Sequence, residues 1–320
     1  MSPTWQHRLE HGALRAMQAA VLALPQSAAE RVGAAAGAAA YAPFGIRREV
    51  AEDNLRRAFP DATEEWIGET ARAAFAHLGR EGAAILRLAE MGPAEIVART
   101  EVRRWDELMA ARERGRGVIL ATGHFGNWEV AAAAVAARGV PLAAVVRRLR
   151  HRLVDARLEE MRRRLGIRTV EARDAPRAIP RLLRRGWVVG MLADQDARGA
   201  GVFVPFFGRP ASTHRGPALF ALRLGAALFA CSARRLPGPG PRWEVIGDPV
   251  PVEPTGDVEA DTVQLTAALT SRLERTIRSA PEQYFWFHRR WKTAPPKELL
   301  SAATGTIPDF TTDELGGEKT

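Results

Sequence analysis

Hydrophobic positions along the chain change rhythm near residue 117. Before it they recur at helical spacing; after it, short continuous apolar runs alternate with helical stretches. Two apolar runs open the chain, 12–24 (GALRAMQAAVLAL) and 32–46 (VGAAAGAAAYAPFGI), split by PQSAAER. Asp61 and Glu64 stand at capping-box spacing and predict the start of a long helix over about 63–90, with Trp66, Ala73, Leu78, Ile85 and Leu88 at its apolar positions. The region before 117 therefore reads as all helix. Beyond it come a strand at GVILAT (117–122), a helix over 127–138, a strand at PLAAVV (141–146), a helix over 151–165, a strand at IRTVEA (167–172), a helix over 175–185 and a strand at WVVGMLA (187–193). GVFVPFFG (201–208), a helix over 214–224, strands AALFACSAR and RWEVIG joined by a hairpin-like turn at LPGPGP (236–241), and a helix over 259–280 follow. Strands that are apolar throughout and alternate with helices predict an α/β fold, a mainly parallel central sheet flanked by helices, with an N-terminal helical region. No internal repeat is visible, and residues 301–320, small, polar and acidic, read as a mobile tail.

Composition narrows the chemistry. The 320 residues are 46% hydrophobic, enough for a substantial core, and the single cysteine, Cys231, rules out a disulfide framework or a cysteine metal cluster within the chain. A reducing cytosol or the cytosolic face of a membrane fits. The formal net charge is +9, but 43 of the 46 basic residues are arginine in an alanine-rich chain, a compositional bias that weakens the total as an argument. Its distribution says more: residues 138–185 hold fifteen arginines against five acids. Either an anionic partner meets this segment or it is a solvated helix face. Nucleic acid is disfavoured, because no binding motif is present and the basic residues interleave with core helices.

No run of 18 uncharged apolar residues exists, so a bilayer-spanning helix is not expected. The N-terminal runs, preceded by Trp5, His7, Arg8 and Arg15, suit an uncleaved interfacial helical hairpin or, alternatively, a helix pair packed on the domain. The chain divides into 1–46, an N-terminal membrane-associating helical segment; 47–300, the main domain; and 301–320, the tail.

The stretch TGHFGNWEV (122–130) carries the chemistry. Its histidine, His124, sits in the loop between a strand and a helix, where ligands of parallel sheets bind. Asn127 is a good helix N-cap and places Glu129 in the first turn, where the helix dipole favours an ionised carboxylate. Glu129 could then fix the histidine tautomer and leave its other nitrogen as a base. Gly123 and Gly126 permit a sharp turn and close approach of a substrate. A surface or capping histidine is the competing reading. Zinc ligation is weak without a second histidine four residues away, and no serine-hydrolase or phosphate-loop motif occurs.

TGHFGNWEV resembles the H-x4-D/E block of glycerolipid acyltransferases, in the form carried by the bacterial lipid A biosynthesis late acyltransferases, which add lauroyl or myristoyl chains. LADQD (192–196), GVFVPFFGRPAST (201–213), PEQYFWFHRRWK (281–292) and NLRRAFPD (54–61) are similar, in order, to further blocks of that family, so the likeness runs over about residues 8–295. Two departures are visible: RRLRH keeps Arg147 but has His151 where the family usually has asparagine, and the N-terminal segment is less hydrophobic than a membrane-spanning anchor.

The resemblance implies a glycerolipid acyltransferase-like fold, an acyltransferase domain over 47–300, and direct transfer from an acyl thioester to a hydroxyl, with His124 as general base and Glu129 as its orienter. It implies neither cofactor nor metal. The donor is acyl carrier protein or acyl-CoA, and the acceptor an anionic glycolipid: a lipid A precursor, or alternatively a glycerophospholipid or glycolipid of the phosphatidylinositol mannoside type. The protein is expected on the membrane surface at the cytoplasmic face of the inner membrane, peripheral or monotopic. Arg147 and Arg148, at a strand end, suit phosphate binding. Asp194 and Asp196 end another strand and would position the acceptor, assist the histidine or cap the loop, while Arg209 and Thr213 are further substrate contacts. Phe203, Phe206 and Phe207 suit an acyl slot or the core, and Cys231 suits the core. The FWFHRRWK run suits a membrane interface, a cover for the site or a packed terminal strand.

Overall fold

The computed structural model describes residues 12, 16, 18–149, 151–238 and 240–296; the expected tail at 301–320 and residues 13–15 and 17 of the first apolar run lie outside them. Helices α1 (Gln26–Tyr41), α2 (Arg48–Ala58) and α3 (Glu64–Leu88) come first. α1 lies so close along α3 that a Cβ on Gly37 would stand 2.0 Å from the Phe75 carbonyl oxygen, and one on Gly79 2.0 Å from that of Gly33. Residues 26–41 are thus packed on the main body. α3 begins one residue later than the capping-box reading places it: Thr63 is the N-cap, accepting from the Trp66 amide at 3.2 Å, in place of Asp61.

Between α3 and residue 117 the expectation of helix alone is corrected. α4 (Pro93–Arg99) and α5 (Trp105–Glu113) enclose a four-residue strand, β1 (Thr100–Arg103). TEVR offers one apolar side chain among charges and becomes a strand only through its parallel pairing with the last strand of the sheet.

The remaining sheet elements are β2 (Val118–Gly126), β3 (Leu142–Val146), β4 (Arg168–Glu171), β5 (Val188–Leu192), β8 (Ala227–Arg235) and β9 (Trp243–Val250), in the order β1-β9-β8-β2-β5-β3-β4. β4, β3, β5, β2 and β8 run parallel; β9 turns back antiparallel to β8. The sheet is the mostly parallel one expected, covered on both sides. Ile119 and Ala121 of β2 face a core shared with α8 (Ala175–Arg184), α9 (Gly216–Leu224) and α10 (Val258–Ser279). Val118 and Leu120 face the opposite core, under α5 and α6 (Trp128–Ala137). α7 (Arg152–Arg164) joins β3 to β4. Cys231 is buried in this second core, and burial followed by the nearby Asp248 carboxylate pushes its thiol up to about 12, so it is an inert core residue.

A separate hairpin, β6 (Val202–Phe206) and β7 (Arg209–Thr213), joins a third core rich in aromatics. Tyr41, Leu55, Phe75, Phe125, Phe206, Phe207, Tyr284, Trp286 and Phe287 meet there, binding the helical region, the hairpin and the segment after α10 to the carboxyl end of β2. FWFHRRWK forms no strand; it is an irregular cover over this end of the sheet. Among the described residues, no helix is long and apolar enough to cross a membrane.

Candidate active site

His124 lies within β2 itself, not in the loop expected beyond it, on the irregular stretch after Thr122 where the pairing with β8 breaks before it resumes at Gly126. Gly126 there has φ +57°, and a Cβ would stand 1.8 Å from the Ala233 carbonyl oxygen of β8, so only glycine fits. The close approach Gly126 permits is to a neighbouring strand. Asn127 caps α6 as expected, its Oδ1 accepting from the Val130 amide at 3.1 Å. The chain is held on its other side by Phe285, whose amide donates to the His124 carbonyl at 2.9 Å, and by a bridge between Phe125 and Tyr284.

The carboxylate on the histidine is Asp194. Its Oδ1 is 2.7 Å from His124 Nδ1, and its Oδ2 accepts from the His124 backbone amide at 2.8 Å. Glu129, expected in that role, is directed to α7, where Arg162 donates to it through Nε (3.0 Å) and Nη2 (2.5 Å). The reason is positional. β2 and β5 are parallel neighbours whose last registered pair is Thr122 and Leu192, so His124 and Asp194, two residues further along each chain, meet. Glu129, in the first turn of α6, is instead carried onto the helix-covered face.

The Asp194 side chain is only 2% exposed. Burial by itself would raise its pKa; the charge of His124, the hydrogen bonds from that residue's ring and backbone, and Arg290 further off outweigh burial and hold it down at about 2. It is an anion at any working pH. The His124 side chain is 18% exposed, with its ring edge-on to Trp128 (centroids 4.8 Å) and tilted against Phe285 (5.7 Å). With Nδ1 engaged, Nε2 is the nitrogen left for a substrate proton.

Behind the pair lies a buried polar group from the last block. Arg290 donates to the Ser212 carbonyl at 2.6 Å and to Thr213 Oγ1 at 2.5 Å, and burial lowers its pKa. Asp196 accepts from the Thr293 hydroxyl at 2.9 Å, and its amide donates to His288 Nε2 at 3.0 Å. Burial followed by Arg290 lowers the pKa of His288, keeping that ring neutral. Thr213 pairs with Asp196 at the hairpin base. Asp194, Asp196 and Thr213 therefore stand together near His124, and Asp196 and Thr213 are locked in protein contacts.

Arg209 sits at the opposite tip of the hairpin, opposite Phe206, with its Nε donating to the Arg57 carbonyl at 3.1 Å; the structure does not bring it to the site. Phe206 and Phe207 belong to the aromatic core. Arg147 and Arg148 follow β3, two strands from β2, so their backbone lies on the same sheet edge as His124 at about 10 Å. Arg148 is tied to Glu171 at 2.6 Å; Arg147 is exposed and has no ion pair among the described residues. His151 caps α7, its Nδ1 accepting from the Val154 amide over a long 3.4 Å. Much of the arginine-rich segment is used internally, Arg162 with Glu129, Arg163 and Arg164 with Glu160, and Arg173 with Glu171.

Sequence reasoning did not single out Tyr284, Phe285, His288 or Arg290, although the block containing them stood out by its mix of aromatic and basic residues. Among the described residues no three His, Cys, Asp or Glu side chains form a metal-binding group.

A buried carboxylate holding an accessible histidine at the carboxyl edge of a parallel sheet is an arrangement able to take up and return a proton. Comparison of the sequence with known families gives the class: residues 12–293 match the family described as bacterial lipid A biosynthesis acyltransferase, and the chain belongs to that acyltransferase family. It is 30% identical over 266 residues to the lipid A biosynthesis palmitoleoyltransferase of Escherichia coli strain K12, covering 80% of this chain and 82% of that protein. It is 29% identical over 284 residues to the lauroyltransferase of the same organism (86% and 89%). It is 28% identical over 275 residues to the phosphatidylinositol mannoside acyltransferase of Mycolicibacterium smegmatis (85% and 88%).

Proposed function

We propose that this enzyme transfers a fatty acyl chain from an acyl thioester, acyl carrier protein being the preferred donor, to a hydroxyl of a lipid A precursor at the cytoplasmic face of the inner membrane. The observation that carries the reading is the 2.7 Å contact between His124 Nδ1 and the ionised Asp194. It fixes the tautomer with a proton on Nδ1 and leaves Nε2 as the base. As the acceptor oxygen bonds to the thioester carbonyl carbon, its proton passes to Nε2; the imidazolium formed faces the Asp194 charge. Collapse of the tetrahedral adduct breaks the carbon–sulfur bond, and the proton returns from Nε2 to the leaving thiolate. No covalent enzyme intermediate is needed, since the chain's one thiol is inert in the core.

In this reading Glu129 acts at one remove, fixing the first turn of α6 through Arg162. A cavity of about 60 Å³ between the strands and α6, lined by Leu120, Trp128, Leu142, Val145, Met191 and Leu192, supports an apolar chain entering beside the sheet. Arg147, unpaired among the described residues, is assigned to an anionic group of donor or acceptor. Residues 1–46 are assigned to membrane association; Phe44 and Ile46, 72% and 58% exposed and next to Arg47 and Arg48, suit a surface contact with anionic lipid.

A second reading, acyl-CoA-dependent transfer to a phosphatidylinositol mannoside, is favoured by the matching similarity to the mycobacterial relative. One experiment separates the two: acyl carrier protein thioester and acyl-CoA are each supplied with a Kdo-bearing lipid A precursor, a phosphatidylinositol mannoside or a lysophospholipid, and the products are weighed by mass spectrometry. An acylated lipid A precursor is expected; failure to acylate any of the three would overturn acyl transfer to these lipids.

A further inference from the structure

Beneath the His124 segment, on the side away from Asp194, lies a buried ionic cluster that the acid–base scheme does not use. Glu81, in the middle of α3, is 3% exposed. Its Oε1 accepts from Arg235 Nη1 at 2.7 Å, and its Oε2 accepts from Asn127 Nδ2 at 2.7 Å and Trp243 Nε1 at 3.1 Å. Arg235 Nη2 donates in turn to Glu30 on α1 at 2.5 Å. We infer that Glu81 is a positioning residue for His124, acting through Asn127; the inference rests on the acyltransfer reading of that histidine.

The argument starts from the two-ended chemistry of an asparagine amide, one end accepting and the other donating. To cap α6, Asn127 must turn its oxygen to the Val130 amide, which it does at 3.1 Å. A carboxylate offers only acceptors, so Glu81 takes the Nδ2 end and holds the amide in the capping orientation. Asn127 is separated from His124 by Phe125 and Gly126 alone, and its own amide donates to the Ala233 carbonyl at 3.0 Å, so little slack remains between cap and histidine.

Arg235 ties the other side of this segment to the same cluster. Its backbone amide donates to Gln283 Oε1 at 2.8 Å, and its carbonyl accepts from Gln283 Nε2 at 3.1 Å. Gln283 precedes Tyr284, which bridges Phe125, and Phe285, which binds the His124 carbonyl. Both ends of the His124 segment are thus referenced to one buried carboxylate–guanidinium pair. Charge-assisted hydrogen bonds of this kind have narrow geometry, which suits a part whose task is to fix position.

The test reverses the polarity of the Glu81–Asn127 contact. Glu81→Gln sets an NH2 group against donors, and Asn127→Asp retains a capping oxygen but sets carboxylate against carboxylate. In the double variant the glutamine donates to the aspartate and its oxygen accepts from Arg235. Each single variant is expected to lower kcat by about 10- to 100-fold, the cost of displacing a base by roughly 1 Å, with KM nearly unchanged. The double variant is expected to recover part of the loss, the indole N–H of Trp243 being the one donor left facing the new NH2 group. Asn127→Ser, which still caps but cannot donate to Glu81 in the same way, introduces no charge and serves if a single variant does not fold; it too is expected to lose kcat.

Wild-type kcat in folded Glu81→Gln or Asn127→Ser, or a folded double variant no better than the worse single one, overturns the inference. The ring nitrogen resonances of His124, followed by NMR in the full-length protein, provide a readout independent of turnover. If the wild-type protein transfers no acyl group, the acyltransfer reading fails on its own account. A changed tautomer signal in Glu81→Gln would then still support positioning, and an unchanged one would overturn it.

Discussion

Replacing Asp194 by asparagine tests the proposed mechanism at its narrowest point. The substitution is nearly isosteric and retains an oxygen for the His124 backbone amide, now 2.8 Å from Oδ2. The new NH2 group would then face Nδ1, forcing the proton to Nε2 and blocking the base. An order of magnitude for the charge part of the effect comes from the carboxyl itself. Its pKa is depressed from 3.8 to about 2 although burial opposes the shift, so the surroundings favour the anion by about 2 kcal/mol. Much of this coupling is with His124, and it would be lost to the imidazolium formed during transfer, a factor of about 30- to 100-fold in rate. The wrong tautomer carries the total towards about 10³- to 10⁴-fold, the range found when an aspartate of this kind is replaced in a serine-protease triad. The assay is thiol release from the acyl donor at saturating acceptor, with near-ultraviolet circular dichroism to establish the fold. A folded Asp194→Asn protein with kcat within about tenfold of wild type would refute the assignment, because even the charge term alone exceeds that.

The same carboxyl sets an acid dependence of stability. Because the folded pKa is depressed, its contribution of about 2 kcal/mol is fully present above pH ~4 and is lost as pH falls through about 2, so urea titrations of wild type and Asp194→Asn should converge across that window. Glu129→Gln breaks the buried pair with Arg162 and is expected to cost about 2–4 kcal/mol in the urea midpoint while reducing kcat far less than Asp194→Asn; the opposite ordering would return Glu129 to the proton relay. Gly126→Ala places a methyl 1.8 Å from a carbonyl oxygen at positive φ and should yield insoluble protein or a loss above about 3 kcal/mol, read by expression and unfolding. Arg147→Ala should raise KM for a phosphorylated substrate roughly 10- to 100-fold with little change in kcat, and Arg147→Lys should recover only part of it; unchanged KM at low salt would place Arg147 on a solvated face. Phe44→Ser combined with Ile46→Ser should weaken binding to anionic vesicles roughly 10- to 100-fold, measured by cosedimentation, and unchanged binding would move the lipid contact elsewhere.

The parallel strands were legible because a strand buried on both faces must be apolar throughout, as GVILAT and WVVGMLA are. β1 was not: TEVR has the look of a loop, and its strand character belongs to its partner β9. The cap at Asn127 and the helix it opens followed from local rules, since they lie within a few residues; that β2 runs on through His124 to Gly126 did not. Nor did the choice between Glu129 and Asp194 as the carboxylate on the histidine, although assistance to His124 was one of the readings for Asp194. Glu129 is close in sequence, whereas Asp194 is 70 residues away and becomes a neighbour only because β5 inserts beside β2, a fact of strand order that no local pattern encodes. Arg209 failed for a related reason: adjacency to Thr213 in sequence becomes opposite ends of a hairpin once β7 is extended. Glu81 was hidden in plain helical periodicity, where a buried charge carries no signature until its partners are placed.

The hydrogen bond from Phe285 to the His124 carbonyl has a consequence for how the enzyme comes into being. A ribosome makes β2 early and the closing segment late, at about 5–20 residues per second, so the histidine segment waits roughly ten to thirty seconds for the residues that brace it. During that interval a partly emerged chain already carries the apolar N-terminal stretch and His124, yet Tyr284, Phe285 and Arg290 are still unmade. A polypeptide halted after α10 would contain every strand of the sheet and lack the brace on His124. Chain order in this way makes the support of His124 the last part of its surroundings to be synthesised.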